Sequence, residues 1–402
     1  MTHTAARLAP FGTTIFTEMT LLAQKHGAVN LAQGFPDFDG PDFVKLAARQ
    51  ALDSGQNQYA RMFGIPTLNA AIAGWWLEQT GSTIDPDAQV CVTSGCTEAI
   101  AAAMLGLVNP GDEVILFQPY YDSYPASIAM AGGVPKVVTL RPPAASGQPF
   151  WFDPDELSWA FTDKTRAILI NTPHNPTGKV FSSAELRQIA DLCIRRDVLA
   201  LTDEVYERLT YSDAAPHMRL ATIPGMEGRT LTLSSLGKTF SLTGWKVGWA
   251  IGHPDLVRSV RAAHQFLTFA TAAPLQHGAA AALGRIAERE NYLKELLAHF
   301  SWARKFLGES LQRLGFRVYS PDGAYFIMAD WTTCPRARCN GVDDDRAFCK
   351  ALTTEAGVAA IPPSVFYSEP SLGRSLVRFA FCKRRETLEE AVKRLQAWIG
   401  AL

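Results

Sequence analysis

The sequence has no excess of one charge and no long apolar run. Its 38 lysine and arginine residues balance 39 aspartate and glutamate residues, and like charges form no long block. Nothing therefore indicates nucleic acid or an anionic membrane surface as a partner. The first residues, MTHTAARLAPFGTTIF, lack the apolar core of a signal peptide, and apolar segments elsewhere are interrupted by Gly, Pro or charge. We therefore expect a cytoplasmic protein.

The cysteines offer neither a disulfide framework nor a metal site. The 7 cysteines are an odd number and lie mostly inside apolar segments such as QVCVT, which is typical of reduced core thiols. Cys334 and Cys339 form the only close pair in a polar loop, and no further Cys or His lies nearby to complete a zinc site. We therefore expect no bound metal.

What the sequence does contain is a regular alternation of strand and helix patterns. Short apolar runs predict strands at QVCVT, DEVILF, GVPKVVTL, TRAILIN, VLALTD and TLTLSS, with helical segments such as SSAELRQIADLCIRRD between them. This alternation predicts an α/β fold with a mostly parallel sheet and helices on both faces. Before it, helical periodicity appears at 42–54 and 66–79, and the chain up to about Asn30 is predicted to be irregular.

The length of 402 residues favours two or three domains. We predict an N-terminal arm over 1–40 that forms part of a small domain, a large ligand-binding domain over 41–285, and a small α+β domain over 286–402. Strand-like segments in the last part are YFIMAD and RSLVRFAFCK, and the second presents Arg378.

Polar groups follow several of the predicted strands. Residues 171–175 follow TRAILI, Asp203 and Glu204 follow VLALT, and residues 234–238 follow TLTL. Ligands of parallel α/β sheets bind at the carboxyl ends of the strands. Gly95 opens a helix after another strand, where free backbone N–H groups favour an anion. The sequence therefore predicts one ligand site at this edge.

Two lysines lie in the stretch from Ser234 to Trp249, SSLGKTFSLTGWKVGW, which is poor in carboxylates and rich in Gly, Ser and Thr. Burial among apolar neighbours disfavours an ammonium, so Lys238 could react as a neutral amine, and a charged Lys246 suits a phosphate. Such a pair is what pyridoxal phosphate requires. The alternative is a pair of lysines in a solvated loop.

Several motifs in one order carry a family resemblance. NLAQGFPDF, NTPHNPTGKVF, DEVYERLTY, SSLGKTFSLTGWKVGW and LVRFAF resemble the class I, fold type I pyridoxal-phosphate aminotransferases over nearly the whole chain. FGTTIFTEM, YDSYPA, AAHQFLTF and GVAAIPPSVF are most similar to the methionine, glutamine and kynurenine transaminase group. The resemblance implies a seven-stranded type of sheet sandwiched by helices and the cofactor pyridoxal 5′-phosphate.

The resemblance also implies residue roles in holding the cofactor. Lys238 matches the lysine that forms the Schiff base and then moves the substrate proton, and Asp203 matches the carboxylate that keeps the pyridine nitrogen protonated. Asp203 could instead cap a helix in DEVYE. Tyr121 matches the ring-stacking aromatic, although Tyr120 lies beside it. Asn175 and Tyr206 match the two donors to the ring oxygen. The residues that match the phosphate cup are Gly95, Cys96, Thr97, Ser235 and Lys246.

Two further sets of residues concern the substrates and a second subunit. Tyr59 matches a tyrosine that reaches the phosphate from the neighbouring subunit, which implies a homodimer with shared active sites. Arg378 matches the arginine that grips the substrate α-carboxylate, with the backbone of Gly34 close to the same group. A surface salt bridge is the alternative for Arg378. The apolar side-chain pocket is predicted to be formed by Phe16, Phe35, Tyr121, Phe266 and Phe366.

Cys96 departs from the resemblance, because a small residue is common at that position. The contact expected there uses the backbone N–H, so the thiol need not interfere.

The function that the resemblance implies is the transfer of an amino group from methionine, and from aromatic amino acids or glutamine, to a 2-oxo acid. Kynurenine transamination and β-elimination from a cysteine conjugate are alternatives on the same cofactor. Two readings outside this class have less support. A nicotinamide dehydrogenase would carry a GxGxxG motif after an early strand, and this sequence shows none. A cofactor-binding regulatory module would be expected to carry a DNA-binding segment, and this sequence shows none.

Overall fold

The computed structural model describes residues 3–144, 147–211, 216–338 and 342–400. Within these ranges no helix has both the length and the apolar character needed to cross a membrane. The helices are α1 (Ile15–His26), α2 (Asp42–Asp53), α3 (Pro66–Thr80), α4 (Cys96–Leu107), α5 (Ser123–Ala131), α6 (Pro154–Ala160), α7 (Ser183–Arg196), α8 (Leu236–Thr239), α9 (Pro254–Leu267), α10 (Ala273–Gly284), α11 (Ile286–Arg313), α12 (Asp345–Thr354) and α13 (Arg385–Gly400).

The strands follow the predicted runs closely, with additions. They are β1 (Val29–Asn30), β2 (Val90–Thr93), β3 (Glu113–Gln118), β4 (Val134–Thr139), β5 (Thr165–Asn171), β6 (Leu199–Asp203), β7 (Thr230–Ser235), β8 (Gly248–Gly252), β9 (Arg317–Tyr319), β10 (Phe326–Asp330), β11 (Val358–Ala359) and β12 (Leu376–Ala380). The prediction of an irregular chain up to Asn30 is wrong. The Thr14 side chain accepts a hydrogen bond from the backbone N–H of Thr17, and α1 runs from there to a left-handed Gly27.

Seven strands form the central sheet, in the order β2-β8-β7-β6-β5-β3-β4. All neighbours are parallel except β8, which is antiparallel to both β2 and β7. The predicted mostly parallel α/β fold is therefore confirmed. The prediction did not include β8, whose segment GWAIG carries a glycine at each end.

Alternate residues of the central strands belong to different cores, as expected for a sheet covered on both faces. In β3 and β5, Leu116 and Leu169 pack in one apolar cluster with residues of α4 and α9. Their neighbours Ile115 and Ile168 pack in another, together with residues of α6 and α7. Because both faces of the sheet are buried, the sheet gives the residues at its strand ends fixed positions.

The C-terminal part of the chain forms a second, antiparallel sheet, in the order β12-β10-β9. The N-terminal segment reaches this part, because β1 pairs with β11 through Val29 and Val358. The helix α10 ends at Gly284 and α11 begins at Ile286, next to the predicted boundary at 285. The division into domains itself stays a prediction.

Candidate active site

A cavity of about 760 Å³ opens where the carboxyl ends of the central strands meet the C-terminal sheet. Most of the predicted site residues line it, although they come from segments far apart in sequence: Phe16, Gly34, Gly95, Cys96, Thr97, Tyr121, Asn175, Asp203, Tyr206, Ser235, Lys238, Lys246 and Arg378. Such a concave site with convergent polar groups is the usual setting for a small-molecule ligand.

Lys238 lies in the short helix α8, directly after strand β7. Its Nζ donates a 3.2 Å hydrogen bond to the carbonyl oxygen of Gly34. The ammonium group lies 5.8 Å from the ring centre of Tyr206 and 5.9 Å from that of Tyr325. Burial lowers the pKa of Lys238 to about 8. About one tenth of this amine is therefore neutral, and nucleophilic, at pH 7.

Asp203 is the last residue of β6 and is 5% exposed. Its Oδ1 accepts a 3.2 Å hydrogen bond from the backbone N–H of Val205, and Asn171 donates a 2.9 Å bond to its carbonyl oxygen. No helix begins at this residue, so the alternative of a helix cap does not hold. Burial raises the pKa of Asp203, while its hydrogen bonds and Lys238 oppose the shift. This carboxylate is suited to pair with a cationic ring nitrogen.

The N-terminus of α4 and Lys246 form a corner suited to an anion. Gly95 precedes the helix with φ of 85°, and a Cβ placed there would lie 3.0 Å from Lys246 Nζ. A Cβ on Gly248 would lie 2.6 Å from the backbone nitrogen of Cys96. Because neither glycine has a side chain, the lysine and the free N–H groups of the helix come close together. Thr97 and Ser235 add hydroxyl groups at this corner of the cavity.

Arg378, in β12, is 1% exposed and contacts no carboxylate within 4 Å among the described residues. Its Nη1 donates to Asn175 Oδ1 over 2.9 Å, its Nη2 donates to the carbonyl oxygen of Ala32 over 2.6 Å, and its Nε has no partner in the described chain. Burial lowers the pKa of Arg378 to about 10. A buried guanidinium with a free donor indicates an anionic ligand, and the alternative of a surface salt bridge does not hold.

Aromatic rings surround that guanidinium. Its central carbon lies 4.2 Å from the ring centre of Phe326, 5.2 Å from that of Phe16 and 5.7 Å from that of Phe366. Phe366 is buried behind Phe16, with 5.8 Å between ring centres, and does not itself line the cavity. A ligand whose carboxylate reaches Arg378 therefore meets apolar walls.

Tyr121 lines the cavity and the neighbouring Tyr120 does not. The ring of Tyr121 packs 6.3 Å from Phe16 and 5.7 Å, edge to face, from Tyr124. Of the two adjacent tyrosines, Tyr121 is the one placed to cover a flat ligand ring.

Besides Phe366, three predicted residues do not line the cavity. Tyr59 is 89% exposed and packs edge to face on Phe269, with 5.5 Å between ring centres. Phe266 is 85% exposed and Phe35 is 44% exposed, and neither lines the cavity. In one chain, therefore, Phe35 and Phe266 do not contribute to the walls of this cavity, and their place in the apolar pocket stays a prediction.

Two tyrosines that the sequence did not single out support the site. The Tyr124 hydroxyl donates to Asp203 Oδ2 over 2.7 Å, and the Tyr325 hydroxyl donates to the Gly34 carbonyl oxygen over 2.6 Å. Gly34 O thus accepts from both Tyr325 and Lys238. In the sequence, Tyr124 appears only as the second tyrosine of the YDSYPA motif. No motif or spacing indicates a role for Tyr325.

The cysteine pair considered for a metal lies partly outside the described residues, because Cys339 does. Among the described residues, no group of three or more His, Cys, Asp or Glu side chains could hold a metal ion.

Comparison of the whole chain with known proteins identifies related enzymes. Residues 26–395 match the family model described as aminotransferase class I and II. The chain is 45% identical over 401 residues to a probable N-succinyldiaminopimelate aminotransferase of Mycobacterium tuberculosis, covering 98% of each chain. It is 39% identical to a kynurenine–oxoglutarate transaminase of Dictyostelium discoideum, covering 97% of this chain and 96% of the relative. It is 38% identical to a methionine aminotransferase of Escherichia coli, covering 97% of each.

Solved structures of two of these relatives superpose closely on this chain. The structure of the Mycobacterium tuberculosis N-succinyldiaminopimelate aminotransferase superposes with a TM-score of 0.92 at 44% identity, covering 98% of this chain and all of that one. The Escherichia coli methionine aminotransferase gives 0.90 at 38% identity, covering 99% and 100%.

Proposed function

The chain belongs to the class I and II aminotransferases, enzymes that depend on pyridoxal phosphate, and we propose that its amino donor is methionine or an aromatic amino acid. The observation that carries the proposal is Arg378, a buried guanidinium with a free donor set among the rings of Phe16 and Phe326. It suits a substrate that joins a carboxylate to an apolar side chain.

The residues of the cavity fit the cofactor. The anion corner at Gly95 and Lys246 suits the phosphate, the buried carboxylate of Asp203 suits the ring nitrogen, and Tyr121 suits the ring face. When bound, pyridoxal 5′-phosphate supplies a ring that accepts electrons and so stabilises negative charge at the substrate Cα. We propose that Asn175 and Tyr206 donate to the ring oxygen.

In the proposed mechanism, each protein group has one task. Arg378 fixes the substrate carboxylate and so orients the Cα–H bond. Lys238 Nζ, neutral in part because its pKa is about 8, takes the proton from that Cα and later returns one. The Gly34 carbonyl gives the freed amine a hydrogen-bond acceptor at 3.2 Å. The rings of Phe16 and Phe326 beside Arg378 give the apolar side chain of the substrate a surface to pack on.

A donor with a distal carboxylate is a second candidate. Arg346, near the start of α12, lines the cavity and makes no hydrogen bond or ion pair within the described chain. The probable N-succinyldiaminopimelate aminotransferase at 45% identity bears a name that implies such a donor. Glu18 and Asp122 also line the cavity, so its lining carries acidic side chains as well as Arg346.

We further propose that two copies of the chain form the functional enzyme. Tyr59, Phe266, Leu267 and Phe269 are all at least 45% exposed, which leaves a group of apolar side chains uncovered. A second copy placed over them would bury these side chains and allow Tyr59 to reach the partner's phosphate corner. Analytical ultracentrifugation tests this, since a chain that stays monomeric at micromolar concentration would contradict it.

A donor panel tests the substrate proposal. Methionine, phenylalanine, kynurenine, glutamine and N-succinyldiaminopimelate are each assayed with one common 2-oxo acid. We expect the highest kcat/KM for methionine or an aromatic donor, and a preference of tenfold or more for the succinylated donor would select the second candidate. The β-elimination alternative predicts release of pyruvate and ammonia from a cysteine conjugate without any 2-oxo acid.

A further inference from the structure

We propose that Tyr124 and Cys96 are positioning residues that hold Asp203 as an oriented carboxylate facing the ring nitrogen of the cofactor. The inference rests on the role proposed above for Asp203. It assigns a task to two side chains that the mechanism so far does not use.

The geometry around Asp203 is the first support. Tyr124 Oη donates to Oδ2 over 2.7 Å, and Cys96 Sγ donates to Oδ1 over 3.6 Å. The backbone N–H of Val205 also donates to Oδ1. Each carboxylate oxygen is thus held by at least one donor, so the plane of the carboxylate is fixed before any ligand arrives.

The protonation states of the two donors are the second support. Tyr124 is 3% exposed and Cys96 is 8% exposed. Burial raises the pKa of both groups well above their usual ranges, and the adjacent Asp203 acts in the same direction. Both side chains therefore keep their hydrogens at neutral pH and can only donate to the carboxylate. A thiol at the start of α4 consequently has a use that a smaller residue would lack.

Other groups also face Asp203 and set its charge. Burial favours the neutral acid, whereas the donors and a nearby cation favour the carboxylate. The titratable groups that act on it are Cys96, Tyr121, Tyr124, Tyr206 and Lys238. Of these, Tyr124 and Cys96 donate to its side-chain oxygens, so their removal should raise the pKa of Asp203.

Cofactor binding to cofactor-depleted protein tests the inference without reference to turnover. Tyr124→Phe keeps the ring that packs on Tyr121 and removes only the hydroxyl. We expect its Kd for pyridoxal phosphate to rise about tenfold, as for loss of a hydrogen bond to a charged group. The Kd for an analogue with carbon in place of the ring nitrogen should not change, because that analogue cannot use Asp203.

Cys96 is tested by a conservative pair. Cys96→Ala should weaken pyridoxal phosphate binding by about threefold, since a thiol is a weak donor, and Cys96→Ser should restore most of the loss. Tyr367→Phe and Cys193→Ala are matched controls, because both side chains are buried outside the cavity and the Tyr367 hydroxyl has no partner in the described chain. The controls should leave both dissociation constants unchanged.

Three outcomes would overturn the inference. Equal weakening of the cofactor and the carbon analogue by Tyr124→Phe would show a general packing defect. No weakening by Tyr124→Phe, in a protein where Asp203→Asn does weaken binding, would leave the role of Asp203 intact and remove that of Tyr124. If Asp203→Asn itself binds pyridoxal phosphate as tightly as the natural protein, the role of Asp203 fails and the inference fails with it.

Discussion

Arg378 Nη1 donates to Asn175 Oδ1 over 2.9 Å, and this contact joins the proposed substrate subsite to the proposed cofactor subsite. A guanidinium has only donors, so the amide oxygen of Asn175 must face it. The amide NH2 group is then left to donate to another ligand atom in the cavity. A substrate carboxylate bound at Arg378 would therefore lie next to Asn175, the residue proposed to hold the ring oxygen of the cofactor.

Arg378→Lys should lower kcat/KM for methionine by about 100-fold or more, mainly through KM. A lysine keeps the charge but cannot form two parallel hydrogen bonds to a carboxylate, and it would leave the Asn175 and Ala32 acceptors less well satisfied. Steady-state kinetics with methionine measure this. Arg258→Lys, on the exposed face of α9, is the matched control. An unchanged KM in the Arg378 variant would remove this residue from substrate binding.

Lys246→Gln should weaken pyridoxal phosphate binding by about 10-fold to 100-fold, and binding of unphosphorylated pyridoxal far less. The substitution removes the cation beside the N-terminus of α4 while the helix N–H groups remain. Equilibrium titration of cofactor-depleted protein measures both ligands, with Lys294→Gln on the exposed face of α11 as control. If both ligands lost affinity equally, the phosphate would not be bound at this corner.

The Lys238 amine should titrate near pH 8 in cofactor-depleted protein, because burial lowers its pKa to about 8. The unfolded-state value is near 10.4, so between about pH 8 and 10.4 folding releases a proton and stability rises with pH. Below pH 8 both states are protonated and the folded state carries the unfavourable buried charge. Amine labelling of Lys238, followed by peptide mass spectrometry, should reach half its maximum rate near pH 8. A midpoint near that of free lysine would contradict the burial.

Tyr59 and Lys238 should complement each other between subunits. In a dimer with shared sites, mixing Lys238→Ala with Tyr59→Ala chains after partial denaturation and refolding creates one site with both residues intact. Activity should rise above that of either variant, towards a quarter of the natural level for random pairing. No gain on mixing, with hybrid dimers demonstrated by mass spectrometry, would place Tyr59 outside the partner's site.

The sequence predicts much of this molecule because local patterns and buried strands agree. The runs DEVILF and TRAILIN are apolar on both faces, and both are central strands of the sheet. The groups placed at strand ends, such as Asp203 and Lys238, come together because parallel strands share one edge. These strands and strand ends can therefore be predicted without knowing which distant segments contact each other.

Other features depend on contacts between distant segments and could not be found in this way. The helix α1 buries only Ile15, Met19 and Ala23, a narrow stripe within a Thr-rich segment that resembles a loop. Tyr124 is 79 residues from Asp203 in sequence, so nothing local marks their hydrogen bond. Phe266 is an apolar side chain that one copy of the chain leaves at its surface.

The attachment point of the cofactor is the most direct test of the whole account. The protein loaded with pyridoxal phosphate is reduced with borohydride and digested, and the phosphopyridoxyl group is located by peptide mass spectrometry. We predict one modified residue per chain, Lys238, and loss of the modification and of transaminase activity in Lys238→Ala. Stoichiometric modification at Lys246 or another lysine, or normal turnover by Lys238→Ala, would contradict the account.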